Sequence, residues 1–363
     1  MPVYSGLEVF TTSESDQWNA ALDDIGEYDF CHMAAFHRLA ELRGEGEAVM
    51  PVYREGDHII AFPLLFRDIN IPAAEHFGEK LRDATCVYGL TGPLASSTNI
   101  PERVIKNFQQ HLDDFFEQNQ IISVFSRIHP LINHSHLLSG YGETIERGIL
   151  LAIDTTPPPD VQYKRYRRNH KKHIEQSKEM GFTCEKVGIE HLNNFIDIYY
   201  ETMDRVNAEK FYYFDRQYFN FMMREMSDTT HLFICRDKET IISAVLCTEC
   251  KGIMQLYLGG TINDYVHLSP TKFLYNAARE WGNEIGVKAI QMGGGTNASR
   301  DDNLYNFKMG FGCEEHVYST WRHIVNPETY DSLCSIACSQ AGIKPESSYF
   351  PIYRHPDLQQ NKT

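Results

Sequence analysis

A glycine-rich stretch followed by a lysine is the part of the sequence best suited to chemistry. Gly293, Gly294 and Gly295 follow an apolar run, and Lys308 comes after a short polar and aromatic segment. Glycines let the backbone approach a ligand closely. A lysine beside such a gap can stabilise the oxyanion that forms when an amine attacks an ester or thioester carbonyl. The residues alone leave an alternative open, in which the glycines turn the chain and Lys308 caps the C-terminus of a helix.

A cluster of cations between residues 163 and 173 is a second candidate site. Its charged members are Lys164, Arg165, Arg167, Arg168, Lys171 and Lys172. Such a cluster can contact nucleic-acid phosphates, although a solvated helix face is the alternative interpretation. The net charge of −15 argues against a protein that covers nucleic acid or anionic lipid with a wide face, because that binding needs clustered cations.

Other combinations of reactive residues do not form a recognisable site. Cys247 and Cys250 form a CxxC pair, but the sequence has no second pair to complete a zinc site. The histidines show no His-Glu-x-x-His spacing, and no Gly-x-Ser-x-Gly elbow of a serine hydrolase occurs. We therefore expect neither a metal ion nor a serine nucleophile.

Length and composition indicate two globular domains. The chain has 363 residues, of which 42% are hydrophobic and 23% charged, as in ordinary folded proteins. No apolar run is long enough to span a bilayer, and the first residues do not resemble a secretory signal. Nine scattered cysteines are typical of reduced core thiols. We expect a cytoplasmic protein.

The domain boundary is predicted at residues 154–160, because Pro157, Pro158 and Pro159 favour an extended linker. This gives an N-terminal domain of residues 1–153 and a C-terminal domain of residues 161–340. The tail, residues 341–363, is expected to pack against the N-terminal domain.

The predicted elements repeat along the chain. Each half has the order strand, two helices, three antiparallel strands, helix, strand, helix, strand, which resembles the GNAT acyltransferase fold. Pro101 lies 169 residues before Pro270, and Gly140 lies 170 residues before Gly310. Two matching offsets indicate a duplicated module. The predicted fold class is therefore α/β (α+β), with two tandem GNAT-like domains, each a mixed, mostly antiparallel sheet flanked by helices.

The repeat distinguishes the two halves chemically. Lys308 stands two residues before Gly310, whereas Leu138 stands two residues before Gly140. The first copy therefore lacks the cation, and we expect the transfer site in the second.

The sequence also resembles the Fem-type aminoacyltransferases and their FemAB-like relatives. The resemblance rests on the glycine-rich motif ending in Leu-Tyr-Asn-Phe-Lys-Met-Gly-Phe-Gly at residues 304–312, on segments 88–94 and 125–130, on the basic cluster, and on residues 349–354. It implies that Lys308 contacts the reacting carbonyl with Phe307 beside it. By looser matching it implies the substrate-binding residues Arg205, Tyr212, Tyr257, Gly294, Gly295 and Tyr305.

The resemblance implies transfer of an amino acid from aminoacyl-tRNA to an amine, with the basic cluster binding the tRNA and no other cofactor. The acceptor would be a cell-wall precursor or a small metabolite. The alternative donor is acyl-CoA or an acyl carrier protein. The junction at residues 264–272 has no glycine to cradle a pyrophosphate, which disfavours CoA, although Thr271 and Lys272 could still bind a phosphate. A non-catalytic binding module stays open, as does the general base, for which Asp301, Asp302 and Glu201 are candidates.

Overall fold

Two compact units divide the chain, and the first is discontinuous. It consists of Met1–Arg147 and Tyr318–Thr363, while the second is Gly148–Val317. The computed structural model describes residues 6–295, 300–344 and 348–359. The boundary lies before the predicted linker at 154–160. Residues 318–340, which we assigned to the C-terminal domain, belong to the first unit.

The first unit begins with two helices and a meander of short strands. Its elements up to the boundary are β1 (Leu7–Thr11), α1 (Ser15–Ile25), α2 (Ala34–Leu42), β2 (Glu47–Glu55), β3 (His58–Ala61), β4 (Leu64–Asp68), β5 (Arg82–Thr85), β6 (Leu94–Ala95), α3 (Glu102–Gln118), β7 (Ile121–Ile128) and the start of β8 (Glu143–Asp154). The strands pair in the order β6-β3-β2-β4-β5-β7, and β1 pairs with β2. Only β5 and β7 are parallel among these pairs. Pro63 separates β3 from β4, as expected of a residue that cannot donate to the ladder.

The second unit repeats this organisation. Its elements are the end of β8, α4 (Pro159–Lys164), α5 (Arg168–Glu179), β9 (Thr183–Val187), α6 (Leu192–Arg205), α7 (Arg216–Glu225), β10 (Thr230–Asp237), β11 (Thr240–Cys250), β12 (Ile253–Thr261), α8 (Pro270–Glu284), β13 (Ala289–Gly293) and α9 (Asn303–Met309). The strands pair in the order β8-β13-β12-β11-β10-β9. All of these pairs are antiparallel except β12–β13.

The chain returns to the first unit through β14 (Glu314–Ile324), and α10 (Pro327–Ala341) and α11 (Pro356–Gln359) follow. Ser319 to Ile324 pair antiparallel with β7, and Trp321 is fully buried in the first core. This pairing explains why residues 318–340 belong to the first unit. Tyr353 of the tail packs with Tyr330 of α10 and Leu81 in another cluster of that unit.

Helical periodicity accounts for the core of each unit. In α3, Val104, Phe108 and Leu112 recur every four residues and are buried against the first sheet. In α8, Leu274 and Ala278 follow the same spacing and pack in the second core. No helix in the described part of the chain is long and apolar enough to cross a membrane.

The two units share the order that the sequence repeat predicted. In each, a long helix leads to a strand with a parallel neighbour, then to a short helical turn, a glycine and a strand. Leu138 ends the 3-10 turn Ser135–Leu138 and is buried in the first core, at the place where Lys308 lies in α9 of the second unit. The fold class is confirmed as α/β (α+β), with two tandem units that each have a mixed, mostly antiparallel sheet and helices.

Candidate active site

The strands β12 and β13 separate after a short stretch of parallel pairing. Pairing ends at Gln255 and Gln291, although β12 continues to Thr261 and β13 to Gly293. Beyond this point each strand is paired only on its other side, with β11 or β8. A gap with backbone groups on both walls therefore opens within the second unit.

A bulge in β12 lies at the start of this gap. Leu258 pairs with Leu246 and Leu256 pairs with Cys247, so Tyr257 is an extra residue in the ladder. The Tyr257 hydroxyl lies 2.5 Å from the hydroxyl of Tyr218, which anchors the side chain to α7. The Tyr257 ring is thus held in place beside the gap.

Lys308 supplies the cation on the β13 side. Its ammonium donates a hydrogen bond of 2.5 Å to the carbonyl of Gly294. A methyl group built at Gly293, whose φ is +72°, would lie 3.5 Å from Nζ. The Lys308 side chain is half-buried, and loss of hydration lowers its pKa to about 8, an effect that Cys313 and Asp302 oppose. The ammonium lies at the glycine-rich strand end and not on the last carbonyls of α9.

Hydrogen bonds at the start of α9 fix its position. The Asp302 carboxylate accepts from the backbone N–H groups of Leu304, at 2.6 Å, and Tyr305, at 3.0 Å, as an N-cap. The Tyr305 hydroxyl donates to Glu315, which also pairs with Arg300 at 2.6 Å. Tyr305 is therefore a helix anchor in this structure, and its predicted contact with substrate stays a prediction.

An aromatic cluster packs beneath α9. The Phe307 ring lies 5.6 Å from His170 and 5.5 Å from Phe311, centroid to centroid. His170 Nε2 lies 2.9 Å from the Phe307 carbonyl, and burial lowers the pKa of His170 to about 4, so the neutral ring donates this bond. A methyl group at Gly310 would lie 2.0 Å from the His170 ring. The Phe-Lys-Met-Gly spacing thus lets α5 pack closely against the end of α9.

The hydrogen bonds of Arg205 and Tyr212 are to groups other than Lys308. The Arg205 guanidinium donates to the Thr261 carbonyl at 2.9 Å and to Asn263 Oδ1 at 2.6 Å, so it ties α6 to the end of β12. The Tyr212 ring is exposed, and its carbonyl accepts from Tyr199. The predicted substrate contacts of both residues, and of Gly295, stay predictions.

The basic cluster lies on two helices and the turn between them, because α4 ends at Lys164 and α5 begins at Arg168. Several of its cations are already engaged within the unit. Lys164 pairs with Asp160 at 2.8 Å, Arg165 with Glu314 at 3.4 Å, Arg167 with the Asn306 carbonyl at 3.2 Å and Lys171 with the Lys164 carbonyl at 2.9 Å. Arg168 and Lys172 are exposed one turn apart, with no carboxylate partner in the described residues.

Two of the candidate bases have structural roles. Asp302 caps α9, and Glu201 accepts from the backbone N–H of Asn263 at 2.6 Å. Asp301 is exposed.

Sequence reasoning missed two polar features of this unit. Gln291 is 3% exposed, and its amide oxygen has no hydrogen-bond partner among the described residues, at the last β12–β13 pair. A polar residue inside the apolar run of β13 was the available signal. Lys272 is 6% exposed and donates to His173 Nδ1 at 2.7 Å. Lys272 and His173 meet because α5 packs against α8, and nothing in the sequence spacing of the two residues predicts that contact.

Comparison with known proteins identifies the type of fold. Residues 162–309 match the family model of the acetyltransferase (GNAT) domain. The solved structure of FemX is similar over 89% of this chain and 99% of its own, with a TM-score of 0.69 and 12% identity. L-PGS from Bacillus licheniformis is similar over 89% of this chain and 96% of its own, with a TM-score of 0.54 and 12% identity.

A third similar structure is the C-terminal domain of an Agrobacterium fabrum protein assigned as a lysylphosphatidylglycerol synthetase. The similarity extends over 91% of this chain and 97% of that structure, with a TM-score of 0.53 and 13% identity. The curated proteins give no match to the sequence. The second unit thus carries an acyltransferase domain of the GNAT type, and the resemblance to Fem-like proteins is confirmed at the level of the fold.

Proposed function

We propose that this protein is an aminoacyltransferase that moves an amino acid from aminoacyl-tRNA to an amine and forms an amide bond. The acceptor is the amine of a cell-wall precursor or of a small metabolite. The proposal depends above all on one observation, the half-buried ammonium of Lys308 beside the gap between β12 and β13.

The chemistry assigns a role to the lysine at the gap. Attack of the amine on the ester carbonyl places negative charge on the carbonyl oxygen. The Lys308 ammonium is a donor that stabilises this charge. The bond between the carbonyl carbon and the tRNA ribose oxygen breaks as the amide forms, and the proton lost by the amine ends on that ribose oxygen.

Gln291 is a suitable group for holding the attacking amine. Its buried amide oxygen has no partner in the described residues, and an acceptor of this kind can take a hydrogen bond from an incoming N–H. Such a bond orients the amine without itself removing the proton.

The fold comparisons support aminoacyl transfer over other acyl groups. The Agrobacterium fabrum protein carries the name of a synthetase whose product bears a lysyl group, and FemX shares nearly the full length of this chain. On the same basis we expect the protein to act in the cytoplasm, where charged tRNA is available.

Arg168 and Lys172 are the cations best placed to bind the tRNA. They stand at positions i and i+4 of α5, exposed and without carboxylate partners in the described residues. Contacts of this kind to phosphates supply sequence-independent affinity. The other four basic residues would add to it only by exchanging their present partners.

Acyl-CoA is the second candidate donor, because the matching family model is that of an acetyltransferase domain. The junction before α8 argues against it. Thr271 bonds Thr261 at 2.6 Å, and the Lys272 ammonium is buried against His173. Both side chains that could hold a pyrophosphate are therefore engaged inside the unit.

The test is incubation of the purified protein with charged tRNA and a panel of amine acceptors, followed by mass spectrometry of the products. An aminoacylated product that depends on Lys308 supports the proposal. Isothermal titration with acetyl-CoA runs in parallel. Micromolar binding of acetyl-CoA, together with no tRNA-dependent product, would replace the proposal with the second candidate.

A further inference from the structure

Two arginines in the first unit lack, among the residues that the structure describes, the carboxylate partners that most arginines of this chain have. Arg127 of β7 and Arg147 of β8 are both half-buried. Neither forms an ion pair with any residue in the described ranges, although the sequence has 49 acidic residues against 34 lysines and arginines. A half-buried cation without a counter-charge is costly unless a ligand supplies one.

Both arginines are neighbours of Thr320 on β14. Arg127 lies directly opposite Thr320 in the antiparallel ladder, so both side chains project from the same face of the sheet. Arg147 Nε donates to the Thr320 hydroxyl at 2.9 Å. Thr320, which is 6% exposed, therefore lies between the two arginines.

The contacts of Arg127 orient its guanidinium without neutralising it. The group lies over the Phe125 ring, 5.5 Å from the centroid, and Nη1 lies 3.6 Å from Cys86 Sγ. A ring face and a thiol are weak partners compared with a carboxylate. Arg322 follows Thr320 by two residues on the same face of β14. Unlike Arg127 and Arg147, it has a carboxylate partner, because it pairs with Glu143 at 2.6 Å.

We infer that Arg127, Arg147 and Thr320 form a binding site for an oxyanion, the phosphate or carboxylate group of a ligand. Guanidinium groups match the planar geometry of both anions and bind them through paired hydrogen bonds. The Thr320 hydroxyl can donate to the same anion while it accepts from Arg147. This site lies wholly in the first unit and does not depend on the transfer reaction proposed for the second.

Isothermal titration of the full chain with inorganic phosphate, and separately with acetate, at constant ionic strength tests the inference. R127Q and R147Q are each expected to weaken binding by about tenfold or more. R147K keeps the positive charge and loses the paired donors of the guanidinium group, so it is expected to weaken anion binding less than R147Q does. R224Q is the matched control, because Arg224 is exposed on α7 and forms no ion pair with the described residues.

The two titrations also identify the group. Binding of phosphate alone assigns a phosphate-bearing ligand, and binding of acetate alone assigns a carboxylate. No binding of either anion in the millimolar range, or an equal loss in R224Q, overturns the inference. Circular dichroism and thermal melts of each variant separate loss of the site from loss of the fold. A K308A variant is expected to bind the anion as the unchanged protein does, so failure of either proposal is visible by itself.

Discussion

Lys308 and Gly294 are joined by a 2.5 Å hydrogen bond from the lysine ammonium to the backbone carbonyl. This bond holds a positive charge at the end of β13, where the strand has separated from β12. The carbonyl is a neutral acceptor, so the charge is positioned but not cancelled. It remains available to a developing oxyanion.

Replacing Lys308 by alanine removes the positioned charge. We expect the transfer rate to fall by roughly 100- to 1000-fold, as on loss of one oxyanion donor, with the thermal melting temperature unchanged or raised because a half-buried charge is lost. K178A is the control, since Lys178 is an exposed residue of α5. Equal kcat values for K308A and the unchanged protein would show that the lysine has no part in the reaction.

The pKa of Lys308, lowered by burial to about 8, gives the reaction a pH signature. The ammonium is the active form, so its contribution is full below pH 8 and is lost as the pH rises through that value. Arginine stays protonated throughout. We therefore expect the kcat/KM of K308R, divided by that of the unchanged protein, to rise above about pH 8. The ratio cancels the titration of the acceptor amine, and a ratio that is flat with pH contradicts the assignment.

The contact between Gly310 and His170 predicts a large difference between two similar substitutions. A methyl group at Gly310 overlaps the His170 ring, so G310A should lower the free energy of unfolding by about 1–3 kcal/mol. Gly282 lies in α8, where an added methyl group finds only ordinary contacts of 3.4 Å or more. G282A should be neutral or stabilising by about 0.5–1 kcal/mol. Urea denaturation measures both, and equal midpoints for the two variants would be the contrary result.

Removal of Arg168 and Lys172, two exposed cations of α5, should weaken tRNA binding in a salt-dependent way. For the double variant R168Q/K172Q we expect the slope of log affinity against log salt to become shallower by about 1.4–1.8, the loss of two phosphate contacts. K178Q removes a charge from the same helix, but one that pairs with Glu175 at 3.1 Å, and should leave the slope nearly unchanged. Filter binding over a range of salt concentrations measures these slopes. A slope insensitive to the double substitution places the tRNA elsewhere.

Local patterns in the sequence were sufficient to predict most elements and the position of the lysine. The spacing of apolar residues in α3 and α8 and the glycine run after β13 each have a cause within a few residues. The separation of β12 from β13 was beyond such patterns. It depends on which strands pair and for how long, and this is decided by contacts between distant segments.

The assignment of residues 318–340 failed for a related reason. β14 is one continuous strand with no break signal near Val317, and only its pairing with β7 reveals that its second half belongs to the first unit. The engagement of Arg205 with Thr261, and of Tyr305 with Glu315, likewise depends on tertiary contacts. The family resemblance that implied a substrate contact for these residues carries no information on such tertiary contacts.

The discontinuity of the first unit sets an order for folding during synthesis. The ribosome completes the whole of the second unit, residues 148–317, before it makes the strand and helices that finish the first. Domains usually fold as they emerge, but here the earlier unit must keep the edge of β7 unpaired until Ser319 to Ile324 arrive. The nascent first unit thus exposes an open sheet edge while the second is made, and that interval is when the chain is most vulnerable to aggregation and most in need of chaperones.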